Sequence, residues 1–197
     1  MSEWVDLYDR SHQATGRVME RTQEVDGQHC VLVVSFWVRS ADGRLLLEQR
    51  SPEKEWFPGY WECGGGGALA GESPYDAVQR EVTEELGLHI PEGNWRLLGE
   101  MDNEEVLEGR YFHHWNCSYL VETTQPEPEL ALQREEVAAT RWFTIQELDA
   151  LLADPEAPVT KYTRRLYAAY RPVLAAPMAA PGQKPKKRLP PKEAEAQ

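Results

Sequence analysis

Three glutamates, Glu81, Glu84 and Glu85, fall within five residues of one another in a stretch that reads as helix. Spacings of three and four put them on one helix face, where like charges repel by roughly 0.2–0.5 kcal/mol per pair. Glu84 and Glu85 also stand in the last turn, at the negative end of the helix dipole. Two local rules are broken at one place, and such breaks collect at functional sites. A divalent cation reverses both penalties, because hard ions such as Mg²⁺ take carboxylate oxygens and often bind jointly with substrate phosphates. Taken alone, the three acids read at least as well as a solvated acidic face. Their neighbours change that weighting. Gly64–Gly67 lets the backbone approach a ligand closely and leaves carbonyls free to point at a metal. Arg80 stands beside the acids and can pair with Glu72, fixing the preceding loop onto the helix.

The elements that must position these residues are legible from local signals. Ser73 is a natural N-cap and Pro74 suits the first turn. The helix is expected to run to about Leu86, with Gly87 as the C′ residue. Val78, Val82 and Leu86 recur every four residues and give it one apolar stripe. Residues 29–38 read as a buried strand, Ala41-Asp42-Gly43 as a turn and residues 44–49 as the returning strand. Residues 95–101 and 111–121 read as further strands, and Arg141-Trp142-Phe143 as part of another. Residues 122–136, with Pro126 and Pro128, read as loop. A short helix is expected over 144–152, capped by Thr144 with Glu147 three residues on. A last helix is expected over 160–174.

The chain has 197 residues, 41% of them hydrophobic, and a net charge of −12. That suits one domain with a sizeable core. The acidity argues against nucleic acid and anionic membranes as partners. Three separated cysteines without CxxC spacing argue against a zinc site or a disulfide framework. The N-terminus shows neither a basic nor an apolar signal region, and the longest apolar run is too short to span a bilayer, so a cytoplasmic protein is expected. The domain is expected over 1–174. The Pro/Ala/Lys-rich stretch 175–197 reads as a disordered tail. Its basic cluster, Lys184, Lys186, Lys187 and Arg188, reads as solvated, with an acidic partner as the alternative.

The segment Gly66-x5-Glu72-x7-Arg80-Glu81-Val82-x-Glu84-Glu85-x-Gly87-Leu88 resembles the Nudix box at every fixed position over 23 residues. The resemblance implies an α/β fold, an α/β/α sandwich with a mixed β-sheet. It implies that Glu81, Glu84 and Glu85 bind Mg²⁺ or Mn²⁺, joined by the backbone carbonyl of Gly65. Arg80 and Glu72 would form the orienting pair. Such ions neutralise a diphosphate and lower the pKa of a bound water, which attacks one phosphorus. A glutamate must accept the proton. Glu136, on the later loop beside Glu135, is the preferred candidate, with an ordinary exposed acid as the equal alternative.

The N-terminal half narrows the branch. Val5-Asp6-Leu7-Tyr8-Asp9, Thr15-Gly16, Arg21, Gly27-x-His29, Leu46-x-x-Gln49-Arg50-Ser51-x-x-Lys54 and Pro58-Gly59-x-Trp61 resemble hydrolases related to isopentenyl diphosphate isomerase. Arg50 and Lys54 then correspond to phosphate contacts, with plain surface cations as the alternative. The isomerase itself needs a cysteine in a Cys-x-His-Pro setting. Here Cys63 is followed by glycines, and it reads as a small buried residue. His29 reads as a satisfied strand histidine. His113 and His114 face opposite sides of their strand, so at most one points at the site. Phe112 and Trp115 read as core, with stacking on a base as the alternative. The expected function is metal-dependent cleavage of a small-molecule diphosphate, a nucleoside diphosphate derivative. Isomerase-like activity and a catalytically silent nucleotide- or metabolite-sensing domain are the alternatives. A homodimer is compatible with the resemblance.

Overall fold

The computed structural model describes residues 3–177. The expected tail and its basic cluster lie almost wholly outside the described residues. Among the described residues, nine strands form one mixed sheet. They are β1 (Trp4–Asp9), β2 (Ala14–Glu20), β3 (His29–Arg39), β4 (Leu45–Arg50), β5 (Trp61–Glu62), β6 (Gly64–Gly67), β7 (Trp95–Leu107), β8 (Arg110–Glu122) and β9 (Val137–Phe143). Three α-helices, α1 (Pro74–Leu86), α2 (Ile145–Ala153) and α3 (Lys161–Leu174), cover the sheet.

The strand β3 is the spine. One edge pairs in parallel with β8 from Val31 to Arg39. The other edge is shared in succession by β1, β6 and β4, all antiparallel. The strand β4 carries the sheet on to β5 and β9. Side chains of β3 alternate between two cores. Leu32, Val34, Phe36 and Val38 meet Ala77, Val78, Val82 and Leu86 of α1 on one face. Trp37 meets Leu148 of α2 and Leu166, Tyr167 and Tyr170 of α3 on the other. The predicted stripe Val78, Val82 and Leu86 is fully buried, at roughly 1.5–3 kcal/mol of hydrophobic stabilisation for each side chain. This is the α/β/α sandwich that the sequence pointed to.

Three stretches go beyond the sequence-based expectation. Residues 4–20, noted above only for their pattern, form the β1–β2 hairpin. The glycine run is an ordered strand, β6, hydrogen-bonded to β3 from Val33 to Phe36. A strand needs no side chains if its backbone is paired, and a glycine run by itself carries no signal of that pairing. The strand β7 continues six residues beyond the expected end at Met101, to Leu107. It turns into β8 through Glu108 and Gly109, both with positive φ (48° and 82°). That is the backbone twist favoured in two-residue hairpins. Pairing of β8 with β3 begins only at His114, so the hairpin end overhangs the sheet. No helix among the described residues is long and apolar enough to cross a membrane.

Candidate active site

The helix α1 is clamped at both ends as expected. The Ser73 hydroxyl accepts from the Asp76 backbone N–H (3.2 Å), and Asp76 accepts from the Ser73 N–H (3.3 Å). Gly87 adopts the left-handed conformation at the C-terminus. This fixes the rotation of the helix and therefore where its acids point. They do not share one environment. Glu81 and Glu85, one turn apart, are buried, whereas the Glu84 side chain is half exposed at the rim.

Arg80 ties the motif together. Its Nε and Nη2 donate to the two oxygens of Glu72 (2.8 and 3.0 Å), a bidentate pair. Nη2 also donates to the Gly67 carbonyl (2.9 Å). Nη1 reaches Glu81 (2.9 Å) and Glu84 (3.0 Å). The expected Arg80–Glu72 pair is present, and the guanidinium spans the other acids as well. Burial pushes the Glu72 carboxyl up, but the bonds from Arg80 and from the Leu69 N–H outweigh it, so Glu72 lies below the usual carboxylate range.

Two further acids join the group. Glu48 of β4 is buried, and its backbone pairs with that of Glu62 on β5. Burial, and then the charges of Glu62 and Glu81, push Glu48 well above the usual carboxylate range. Burial, followed by the charge of Glu48, does the same to Glu85. Glu62 and Glu81 are also raised, first by burial, with arginines offsetting part of it. One signal for Glu48 was present: a lone acid ending the apolar run Leu45-Leu46-Leu47 of a buried strand. Glu62 had no such signal.

The glycine strand lies against these acids. A Cβ on Gly66 would stand 2.2 Å from Glu81 Oε1, and one on Gly64 would stand 2.5 Å from Glu48 Oε1. Gly65 approaches β3 so closely that its Cβ would meet the Val34 carbonyl at 2.3 Å. Among the described residues no three His, Cys, Asp or Glu side chains already close around one point. The acids are gathered but not converged.

On its other side the glycine strand lines a cavity of about 860 Å³. Arg50, Lys54 and Glu136 stand in its wall. None of the three is free. Arg50 donates to Glu62 (2.5 Å) and to the Trp56 carbonyl (2.8 Å), and Lys54 is ion-paired with Glu136. Phe112, expected in the core, instead lines this cavity, because it sits on the overhanging end of β8. Trp115 packs against the core as expected and stacks on His12. His114 lines the cavity, while His113 turns the other way and meets Asp102 (3.1 Å). His29 is satisfied by Asp26 (2.6 Å). Cys63 is buried beneath the Thr163 hydroxyl, and all three cysteines are free thiols.

Fold and site together define a class: an α/β/α protein whose short helix and glycine strand gather carboxylates beside an open cavity. The NUDIX domain family model matches residues 30–166, and the chain belongs to the Nudix hydrolase family. It is 33% identical over 157 residues to an uncharacterized Nudix hydrolase of Listeria monocytogenes, covering 79% of this chain and 88% of that protein. It is 32% identical over 158 residues to the isopentenyl-diphosphate Delta-isomerase of Kocuria rhizophila, covering 75% of this chain and 81% of that protein. A crystal structure of a Deinococcus radiodurans protein shares the fold, with a TM-score of 0.68 at 24% identity. It covers 86% of this chain and 100% of its own.

Proposed function

We propose that the chain hydrolyses the diphosphate linkage of a nucleoside diphosphate derivative, with Mg²⁺ or Mn²⁺ held by Glu81, Glu84, Glu85 and the Gly65 carbonyl. One observation carries this reading. Glu48 Oε1 and Glu85 Oε2 are buried with no hydrogen-bond partner, and Glu48 and Glu81 lie against a strand with no side chains. Buried, unpartnered carboxylate oxygens are costly. An all-oxygen acidic donor set is what a hard divalent ion takes, so the residues fit the ion. When bound, it supplies charge neutralisation on the diphosphate and a lower pKa for a water beside it.

The chain's own residues then have distinct tasks. Three bonds of Arg80, two to Glu72 and one to the Gly67 carbonyl, involve none of the three helix acids. They keep the loop on α1 while Glu81 and Glu84 turn to a ligand. Arg50 and Lys54 now neutralise Glu62 and Glu136. A diphosphate in the cavity offers both cations a stronger, multiply charged partner. Exchange of Lys54 onto phosphate frees Glu136 to accept the proton of the attacking water.

Double-bond isomerisation is the second reading, favoured by the similarity to the Kocuria enzyme. Burial pushes the Cys63 thiol far above its ordinary range. That opposes a role as nucleophile or acid at neutral pH. The test is cleavage of a panel of nucleoside diphosphate derivatives and isoprenoid diphosphates to their monophosphate products with Mg²⁺, Mn²⁺ or a chelator. Metal-dependent cleavage supports hydrolysis. Isomerised product without cleavage supports the second reading, and binding without turnover on the whole panel supports a sensing domain.

A further inference from the structure

The hydrolase reading leaves open what recognises the group attached to the diphosphate. The cavity answers through side chains that no step above uses. Phe112, His114 and Asn116 follow one another at alternate positions of β8, so they share one face, and all three line the cavity. Asn116 is buried, and its Oδ1 accepts from the hydroxyls of Ser35 (3.1 Å) and Ser118 (2.8 Å). That fixes the amide plane and leaves its nitrogen without a protein partner among the described residues. His114 likewise has no hydrogen-bond partner among the described residues. Desolvation, with the charges of His113 and Arg21, pulls its pKa down to about 4. It is therefore a neutral imidazole at pH 7, offering one donor and one acceptor.

Above this polar pair the walls are aromatic. Trp56 meets Phe112 edge to face with ring centroids 5.7 Å apart. The Arg110 guanidinium lies 5.7 Å from the Trp56 ring centre and 5.4 Å from that of Phe112. Glu55 and the Thr22 carbonyl hold that guanidinium in place (2.7 and 3.3 Å). An isoprenoid chain would fill the aromatic part, but it would leave His114 and Asn116 desolvated and unpaired. A ligand with π-faces and a hydrogen-bonding edge satisfies both parts.

We infer that His114 and Asn116 are specificity-determining residues that hydrogen-bond the edge of a nucleobase, while Trp56 and Phe112 contact its ring. This deepens the nucleoside diphosphate reading and rests on it for substrate class, but not on turnover. The test is calorimetric binding of AMP, GMP, CMP and UMP to the metal-free full chain. Inorganic pyrophosphate and dimethylallyl diphosphate are the comparators. His114→Phe keeps a ring of similar size and removes both nitrogens, and melting curves check its fold. At least one nucleotide should bind the native chain and lose about tenfold or more with His114→Phe. Pyrophosphate and dimethylallyl diphosphate should be unchanged or tighter. His114→Gln, which restores a donor and an acceptor, should recover most of the loss.

If no nucleotide binds, or if His114→Phe binds nucleotides like the native chain, the inference fails. It fails too if the variant loses pyrophosphate equally. Turnover of isoprenoid diphosphates alone would sink this inference and leave hydrolysis standing. Nucleotide binding lost in His114→Phe, with no turnover on any diphosphate, would do the reverse.

Discussion

Glu85 is buried with one carboxylate oxygen unpartnered, and it faces the charges of Glu48, Glu81, Glu62 and Glu136. Its partner in the motif, Glu84, is half exposed and bonded to Arg80. The two therefore respond differently to the same change. Glu84→Gln is expected to cut metal-dependent turnover by about 100-fold or more while leaving the melting temperature nearly unchanged. Wild-type turnover in that variant would remove Glu84 from the proposed ligands. Glu85→Gln should also abolish turnover. In chelator it should raise stability by about 1–2 kcal/mol, because it removes a buried charge from a like-charged group. A denaturant midpoint equal to or below that of the native chain would contradict this. Spacing alone cannot say which helix acids face inward; the burial of Glu81 and Glu85 and the exposure of Glu84 decide it.

At the scale of elements, the glycine strand β6 and the clamp on α1 set the geometry of the acids. Gly66→Ala puts a Cβ 2.2 Å from Glu81 Oε1. Either the carboxylate moves or the strand does, so stability should fall by about 1–3 kcal/mol. Turnover should fall far more than that loss explains, as read from turnover well below the melting transition. Retained turnover would show that β6 does not need to be bare. Arg80→Lys keeps the charge but loses the bidentate pair to Glu72 and the reach to several acceptors. Stability and turnover should both drop, the first by about 1–3 kcal/mol. Unchanged melting would mean that the loop is held by other contacts. The helix caps at Ser73 and Gly87 were legible because they are local. The strand nature of Gly64–Gly67 was not, because it depends on pairing with β3, about thirty residues earlier.

For the whole molecule, the gathered acids predict a pH dependence and, with the proposed ligands, a metal dependence. Glu48, Glu81 and Glu85 have pKa values raised above those of the unfolded chain. Their contribution is fully present below the ordinary carboxylate pKa of about 4.3 and is lost as pH rises through the folded values. His114 opposes this. Its folded value of about 4 lies below the unfolded one, so its contribution is present above about pH 6.5 and is lost on acidification toward 4. Metal-free protein should therefore lose stability from these acids as pH rises from 5 to 8, at roughly 1.4 kcal/mol per pH unit for each fully titrating group. Mg²⁺ or Mn²⁺ should restore it, since a ligand bound only by the folded state stabilises it. Melting curves at both pH values, with and without metal, check this. Equal metal effects in the native chain and in Glu85→Gln would count against the site.

The sequence by itself determined what is local. It carried the box, its caps, the apolar stripe of α1, the Arg80–Glu72 pair and hence the family. Each depends on residues within about 25 positions of one another, close enough for spacing and backbone propensity to encode it. Only the tertiary structure decided which acids are buried, that Glu48 and Glu62 join them, and that Arg50 and Lys54 are paired. It also placed Phe112 and His114 in a cavity wall. Those facts arise from how β3 and β4 bring α1, β5, β6 and β8 together. They depend on register between strands far apart in the chain, which no residue's own identity specifies.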